Sequence, residues 1–268
     1  MADALARLRD VTARYDGVTA LDLVDLDIPA GRITAFCGPN GSGKSTALRV
    51  MRRLHAPAQG VVEVAGRALQ DWSPKGLAQV VAMLSQSPDA PPELTVQDLV
   101  RLGRFAHRRG FRGQTAEDRK ACQRALAATE LAELATRPIG QLSGGQRQRA
   151  WIAMTIAQDT PHIFLDEPTN HLDVSHAFEV LELVRQLNRA EGRSIVLVLH
   201  DLNMAMRYAD HVVLFQEGRV VATGATREVL SEARIQEVFR IGCKLIEVEG
   251  QERPAVLPLP QTPLHSVG

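Results

Sequence analysis

At 268 residues, 45% hydrophobic and 23% charged, the chain is long enough to bury a full core and is composed like an ordinary soluble globular protein. Lys and Arg (31) balance Asp and Glu (31), so no net charge favours nucleic acid as the main partner. Cys37, Cys122 and Cys243 are odd in number, far apart and without CxxC spacing, which argues against disulfides and zinc and fits a reducing compartment. Met1 to Arg7 carries no apolar signal core and no run reaches the length of a membrane span, so work at a membrane would go through a partner from the cytoplasmic side.

Leu5 to Tyr15 alternates apolar and polar residues, with Val11, Ala13 and Tyr15 on one face, and predicts an edge strand. Ala20 to Ile28 alternates likewise, and Asp16-Gly17 between them is a turn signal. Tyr15 thus falls on an early strand that can fold back near a ligand site. An exposed ring there stacks on a nucleotide base, whereas a covered one packs into the core, and the residues alone leave both open.

Pro29-Ala30-Gly31 turns the chain into the apolar run Ile33 to Cys37, followed by Gly38-Pro39-Asn40-Gly41-Ser42-Gly43-Lys44-Ser45 and the helix-like Thr46 to Met51. Strand, glycine-rich loop and helix in this order form a phosphate cradle. The glycines let successive backbone N–H groups point inward, Lys44 reaches the terminal phosphates and Ser45 can ligate Mg²⁺. The helix start adds the positive end of its dipole. Chance alone would place such a loop in about one chain in a hundred.

Gly60 to Gly66 predicts a strand closed by glycines, and Ala78 to Leu84 a further strand, ending at Ser85-Gln86 before the Pro-rich Ser87 to Pro92. From Thr95 to Ala135 strand-like runs stop and helical spacing takes over, so residues 89–157 read as a helical insertion. Its basic run, His107 to Arg112, reads as solvated surface in preference to a partner or lipid contact. Leu142-Ser143-Gly144-Gly145-Gln146 then opens a helix-rich stretch with Ser143 as N-cap, which makes a second anion site with no strand ahead of it. Such a loop does not suit the phosphates held by Lys44 in the same subunit; completion across a dimer does.

Strand-like runs return at Ile163 to Glu167, Ser194 to His200, Val212 to Phe215 and Val220 to Ala222, with helices predicted over Val174 to Glu191, Leu202 to Ala209 and Arg227 to Glu232. The alternation predicts an α/β fold with a largely parallel sheet. Adjacent side chains on a strand face opposite sides, so Asp166 and Glu167 at the tip of a buried run can take different tasks. Asp166 is assigned to Mg²⁺, and Glu167 to polarising the water that attacks the γ-phosphate. His200, at the end of the next strand, can contact that phosphate, although taken alone it reads as a satisfied structural histidine. Gln251 to Gly268, with four prolines, predicts a disordered tail.

With these residues assembled, residues 5–245 resemble the nucleotide-binding subunits of ATP-binding cassette (ABC) transporters. Gly38 to Ser45 looks like the Walker A loop, Gln86 like the Q-loop glutamine, and Leu142 to Gln146 like the signature motif. Ile163 to Glu167 is similar to Walker B with its catalytic glutamate, Asn170-His171-Leu172-Asp173 to the D-loop, His200 to the switch histidine and Tyr15 to the base-stacking aromatic. The resemblance implies a P-loop NTPase (RecA-like) core over 1–88 and 158–250, a small N-terminal antiparallel β subdomain and a helical subdomain over 89–157. It also implies ATP and Mg²⁺ as cofactors. Lys44, Glu167 and His200 would act in catalysis. Tyr15, Gly38 to Thr46, Gln86 and Ser143 to Gln146 would bind nucleotide, and Ser45, Gln86 and Asp166 the metal. Partners would be a second copy in a head-to-tail dimer, a polytopic permease and, indirectly, a periplasmic binding protein, at the cytoplasmic face of a bacterial inner membrane; nucleic acid would not be one.

The stretches Thr95 to Arg104, Gln141 to Met154, with Trp151 in it, Thr169 to Asp173 with His171, and Leu199 to Asn203 look like the importers of ferric siderophores, haem and cobalamin. An ABC ATPase for another cargo is the first alternative. A soluble ABC protein acting on the ribosome, on DNA or in iron–sulfur assembly is the second. Its usual marks, a second cassette, long coiled coils or zinc modules, are missing from this sequence.

Overall fold

The computed structural model describes residues 4–86, 88–108, 113–170 and 172–259. His171, Arg109 to Arg112 of the basic run and residues 260–268 lie outside the described residues.

The alternating N-terminal segments form two antiparallel strands, Ala4–Tyr15 (β1) and Val18–Pro29 (β2), joined at Asp16-Gly17, where φ is 47° and 85°. Two successive positive φ angles are the backbone that a two-residue hairpin requires. Ile33–Cys37 (β3) is buried at every position and leads through the glycine-rich loop into Lys44–Met51 (α1). Gln59–Val64 (β4) and Arg67–Ala68 (β5) complete a four-stranded sheet of order β2-β1-β4-β5. The expected edge strand is therefore internal: β1 is hydrogen-bonded on both sides, and β2 is the edge. A bulge at Asp10 (φ 50°) shifts the register between Leu8 and Val11, so that Val11, Thr12 and Ala13 are all buried and simple alternation is lost.

The apolar run Ala78 to Leu84 also divides. Pro74–Val80 is a helix (α2), because Ser73 caps it by accepting from Gly76 N and Pro74 suits the first turn; only Val81–Leu84 is strand (β6). Three α-helices follow among the described residues, Val96–Leu102 (α3), Ala116–Ala128 (α4) and Gly144–Ala157 (α5), before the chain returns as His162–Leu165 (β7). Val174–Glu191 (α6), Ser194–Val198 (β8), Leu202–Tyr208 (α7), His211–Gln216 (β9) and Arg219–Ala225 (β10) come next. The sequence reading did not find Glu232–Phe239 (α9), which follows the short Thr226–Val229 (α8).

The second sheet has the order β10-β9-β3-β8-β7-β6, parallel throughout except for β9 with β10. Its parallel strands are largely buried on both faces, as a parallel sheet requires, while β10 at its edge is not. Phe36, Phe164, Val196 and Phe215 meet α1 and the antiparallel sheet, while Ala35, Ile163, Leu165 and Leu197 meet the helical side, including α5 and α6. The glycine-rich loop leaves β3 at the centre of this sheet, between β8 and β9, where ligands of open α/β sheets bind beyond the strand C-termini.

The expectation of a disordered tail fails over its first half. Cys243–Ile246 (β11) pairs antiparallel with Ala255–Pro258 (β12), and Val256 is buried in the main core. Pro254 and Pro258 stand at the margins of that short strand and leave its central residues free to pair.

In the helical region Arg104 and Asp118 form a buried ion pair at 2.8 Å, and Arg104 also donates to Ala157 O at the end of α5. Asp118 closes a capping box with Thr115 at the start of α4. Burial pushes the Asp118 carboxyl up, but hydrogen bonds from Arg104 and Thr115 and the charge of Arg104 outweigh it and bring it to about 2. A depressed carboxylate contributes stability above its unfolded value, and that contribution drains as pH falls from about 4 towards 2. Asp118→Ala strands the guanidinium and should cost about 3–5 kcal/mol, measured as a fall in the urea midpoint at neutral pH; the difference from wild type should shrink below pH 3.

Candidate functional site

The loop after β3 can exist only with glycine at two of its positions. Gly38 has φ 145°, and a Cβ there would stand 2.1 Å from Phe215 O of β9. Gly43, at φ 105°, is the N-cap of α1, and its Cβ would lie 2.6 Å from Ala20 O of β2. The loop is thus pressed between both sheets. Lys44, the first residue of α1, is buried and donates to Gly38 O (2.8 Å) and Pro39 O (2.7 Å). Burial pulls its ammonium below the ordinary lysine value, against the opposing charges of Cys37, Glu167 and Asp166. A buried cation held by two loop carbonyls and, more weakly, by the Ser42 hydroxyl is positioned for an incoming anion.

The cavity beside the loop has a volume of about 740 Å³ and is lined by Asn40 to Thr46, together with Ala20, Gln86, Glu167, Asn170 and His200. A polar cleft of this size fits a nucleotide. Of the two carboxylates at the end of β7, Glu167 lines it, and Asp166 sits behind its wall, bonded to Ser45. Asp166 is buried, and its Oδ1 accepts from Ser45 Oγ at 2.6 Å. Its Oδ2 is buried with no hydrogen-bond partner among the described residues. Burial pushes this carboxyl above the usual range, partly offset by the Ser45 bond and by Arg49.

The Asp166 and Glu167 side chains were expected on opposite faces of a strand, but β7 ends at Leu165 and Glu167 has φ 54°. That left-handed residue turns the chain out of the strand direction, and the Glu167 carboxylate lines the cavity. Glu167 Oε1 lies 2.8 Å from His200 Nε2, and Oε2 accepts from Gln86 Nε2 (2.7 Å) and Asn170 Nδ2 (3.1 Å). The strand ends of β6, β7 and β8 therefore each send one functional group to one point. Asn170 was read only as part of a motif. Its place three residues after Glu167, in a turn that brings Asn170 N to Glu167 O, was the available signal.

Other expected site residues lie apart. Ser143 to Gln146 do not line the cavity; Ser143 caps α5 in a reciprocal capping box, and the loop faces solvent. Tyr15 is 37% exposed and stacks on the His55 ring at 4.1 Å, so it is not a core aromatic, and it also lies outside the cavity lining. The three cysteines are buried and free, and burial pushes the Cys37 thiol up to about 12.

A family model described as ABC transporter matches residues 21–170. The ferric enterobactin transport ATP-binding protein FepC of Escherichia coli is 42% identical over 264 residues, which cover 98% of this chain and 97% of that protein. Among solved structures, an inward-facing metal-chelate type ABC transporter superposes with a TM-score of 0.84 at 27% identity, covering 97% of this chain and 99% of that one. A dimeric ATP-binding cassette in a post-hydrolysis state, bound to ADP and Pi, superposes with a TM-score of 0.74 at 31% identity over 83% and 99% of the two chains.

Gly38→Ala should remove the cradle by steric conflict with the Phe215 carbonyl. The expected result is nucleotide affinity lowered at least about ten-fold together with a lower melting temperature, because left-handed strain and backbone overlap act at once. Nucleotide titration and thermal unfolding of the same preparation measure both.

Proposed function

The chain belongs to the ABC transporter family, and we propose that as its ATP-hydrolysing subunit it drives uptake of an iron chelate of the ferric siderophore class through a partner permease. The convergence of Gln86, Asn170 and His200 on Glu167, next to the Ser45–Asp166 pair, carries the hydrolytic reading. Similarity to the ferric enterobactin ATPase over nearly the whole of both chains supports the cargo class. Haem and cobalamin remain within the same proposal as neighbouring cargo classes.

In this reading the N–H groups of Gly41 to Thr46 hold the β- and γ-phosphates, and Lys44 exchanges the carbonyls of Gly38 and Pro39 for phosphate oxygens. Ser45 Oγ and the unpartnered Asp166 Oδ2 are hard oxygen donors that fit Mg²⁺, with Gln86 within the same cavity. When bound, Mg²⁺ would supply positive charge against that of the phosphates. Glu167 orients the attacking water and takes its proton, while His200 bridges Glu167 and the γ-phosphate. Tyr15 stacks on the base.

The loop Ser143 to Gln146 supplies the missing side of the site from a second copy in a head-to-tail dimer, and the dimeric relative supports that arrangement. Its exposed helix start offers N–H groups and a positive dipole end to the partner's nucleotide. No helix among the described residues is long and apolar enough to cross a membrane. The subunit would therefore act at the cytoplasmic face of the bacterial inner membrane, with residues 89–157 gripping the permease. A periplasmic binding protein would deliver cargo on the other side. Nucleic acid has no part in this function.

Glu167→Gln keeps the side chain's size but removes the base. It should retain ATP binding, trap the dimer and lower turnover by about a hundred-fold or more; with the cognate permease in vesicles, it should abolish the uptake of ferric siderophore that wild type supports. Rapid hydrolysis by this variant contradicts the assignment, and uptake of some other cargo alone contradicts the cargo class. Ser143→Arg should block ATP-induced dimerisation in light scattering while monomer nucleotide affinity stays within about two-fold, because the substitution lies outside the cavity.

A further inference from the structure

The C-terminal arm, residues 243–259, reaches back to α7, the helix that begins two residues after His200. Three contacts fasten it there. The Asn203 side chain pairs with the backbone of Val256 in both directions, donating from Nδ2 to Val256 O (3.1 Å) and accepting from Val256 N at Oδ1 (2.7 Å). Arg253 donates to Met206 O (2.9 Å) and to Ala209 O, carbonyls at the end of α7. It also lies 3.6 Å from Asp210 Oδ1, and the other oxygen of Asp210 accepts from Ile33 N at the start of β3. Val256 itself is buried in the core.

A helix of seven residues is too short to persist by itself. At its N-terminus, Asp201 accepts from Asn203 N and Met204 N, so the residue that caps α7 is the one next to His200. At its C-terminus Arg253 donates to Met206 O and shares Ala209 O with the Thr226 hydroxyl, so carbonyls that a helix leaves unsatisfied are met there. We propose that the arm is a positioning element for His200: by fixing both the flank and the end of α7, it holds the Asp201 cap, and with it His200 at 2.8 Å from Glu167. The arm lies beyond the 21–170 stretch that the family model matches. None of residues 243–259 lines the cavity, so the arm acts on the rate of hydrolysis and leaves nucleotide binding alone. This inference rests on the reading of His200 as the partner of Glu167 in hydrolysis.

The test is a kinetic cycle on the full chain with His200→Ala, Arg253→Ala and the double variant, following ATP hydrolysis and ATP binding, with thermal melts to confirm folding. Arg253→Ala should lower kcat by about five-fold or more with ATP affinity within about two-fold, and Arg253→Lys, which can still donate to the α7 carbonyls, should recover part of the loss. In the His200→Ala background, Arg253→Ala should change kcat by less than about two-fold, because both substitutions remove the same function. Asn203→Ala, which breaks the other fastening, should follow the same pattern and keeps the test intact if Arg253→Ala folds poorly. Independent, multiplying effects in the double variant overturn the proposal, as does a loss confined to ATP affinity. Wild-type kcat in Arg253→Ala, beside a His200→Ala that has lost activity, overturns the role of the arm alone. Wild-type kcat in His200→Ala overturns the reading of the site itself, and this inference with it.

Discussion

Two adjacent carboxylates serve one site here, Glu167 lining the cavity and Asp166 holding Ser45 of its wall, and a straight strand, whose side chains alternate between faces, does not deliver them. The left-handed backbone of Glu167 resolves the conflict. Asp166 is still guided by the sheet, its N–H donating to Leu84 O of the neighbouring strand end, and meets Ser45. One residue later the chain has turned, and Glu167 meets Gln86, Asn170 and His200. A non-glycine residue at positive φ costs of the order of 1 kcal/mol or more. Three polar partners on one carboxylate outweigh that cost, so the strained turn and the polar cluster keep each other in place.

The electrostatics follow from the same burial. Lys44 and Asp166 are both removed from water, and each moves towards its neutral form, the ammonium down and the carboxyl up. The Lys44 ammonium rests on carbonyls, and Asp166 has one oxygen without a partner. Neither group is at its best without a ligand. In the proposed function, a polyphosphate that accepts from Lys44 and a cation that shares Asp166 and Ser45 would relieve both at once, so nucleotide and metal would favour each other there.

Much of this was legible in the sequence because the chemistry is local. Gly38 to Ser45, Asp166-Glu167 and His200 stand at the ends of apolar runs that became β3, β7 and β8, and the run-then-motif pattern placed them together at the strand C-termini. The reading failed where a competing local rule or a distant contact decided. Ser73-Pro74 turned an apolar run into a helix start, and the bulge at Asp10 put three consecutive residues of β1 inside. The proline-containing C-terminus looked unstructured because its order comes from Asn203 and from the carbonyls of α7, about fifty residues earlier in the chain, and no local pattern records such contacts. The turn at Glu167 was hidden for the same reason: only its partners, from three other segments, reveal it.

The two halves of the nucleotide site are prepared differently. On the signature side, Ser143 and Gln146 satisfy each other's backbone N–H groups, and Gln148 ties α5 to Pro168 O just past the catalytic turn. That surface is ordered before any partner arrives, so little conformational freedom is left to lose on association. On the Walker side, Glu167 is held by neighbours that nucleotide has to engage or displace before the carboxylate can address water. The monomer thus presents a finished anion seat to its partner and a restrained base to its own substrate. Because α5 and the Glu167 turn are joined through Gln148, the seat and the base belong to one mechanical unit. In the proposed dimer, association on one side of that unit would release the carboxylate on the other and so make hydrolysis conditional on the dimer.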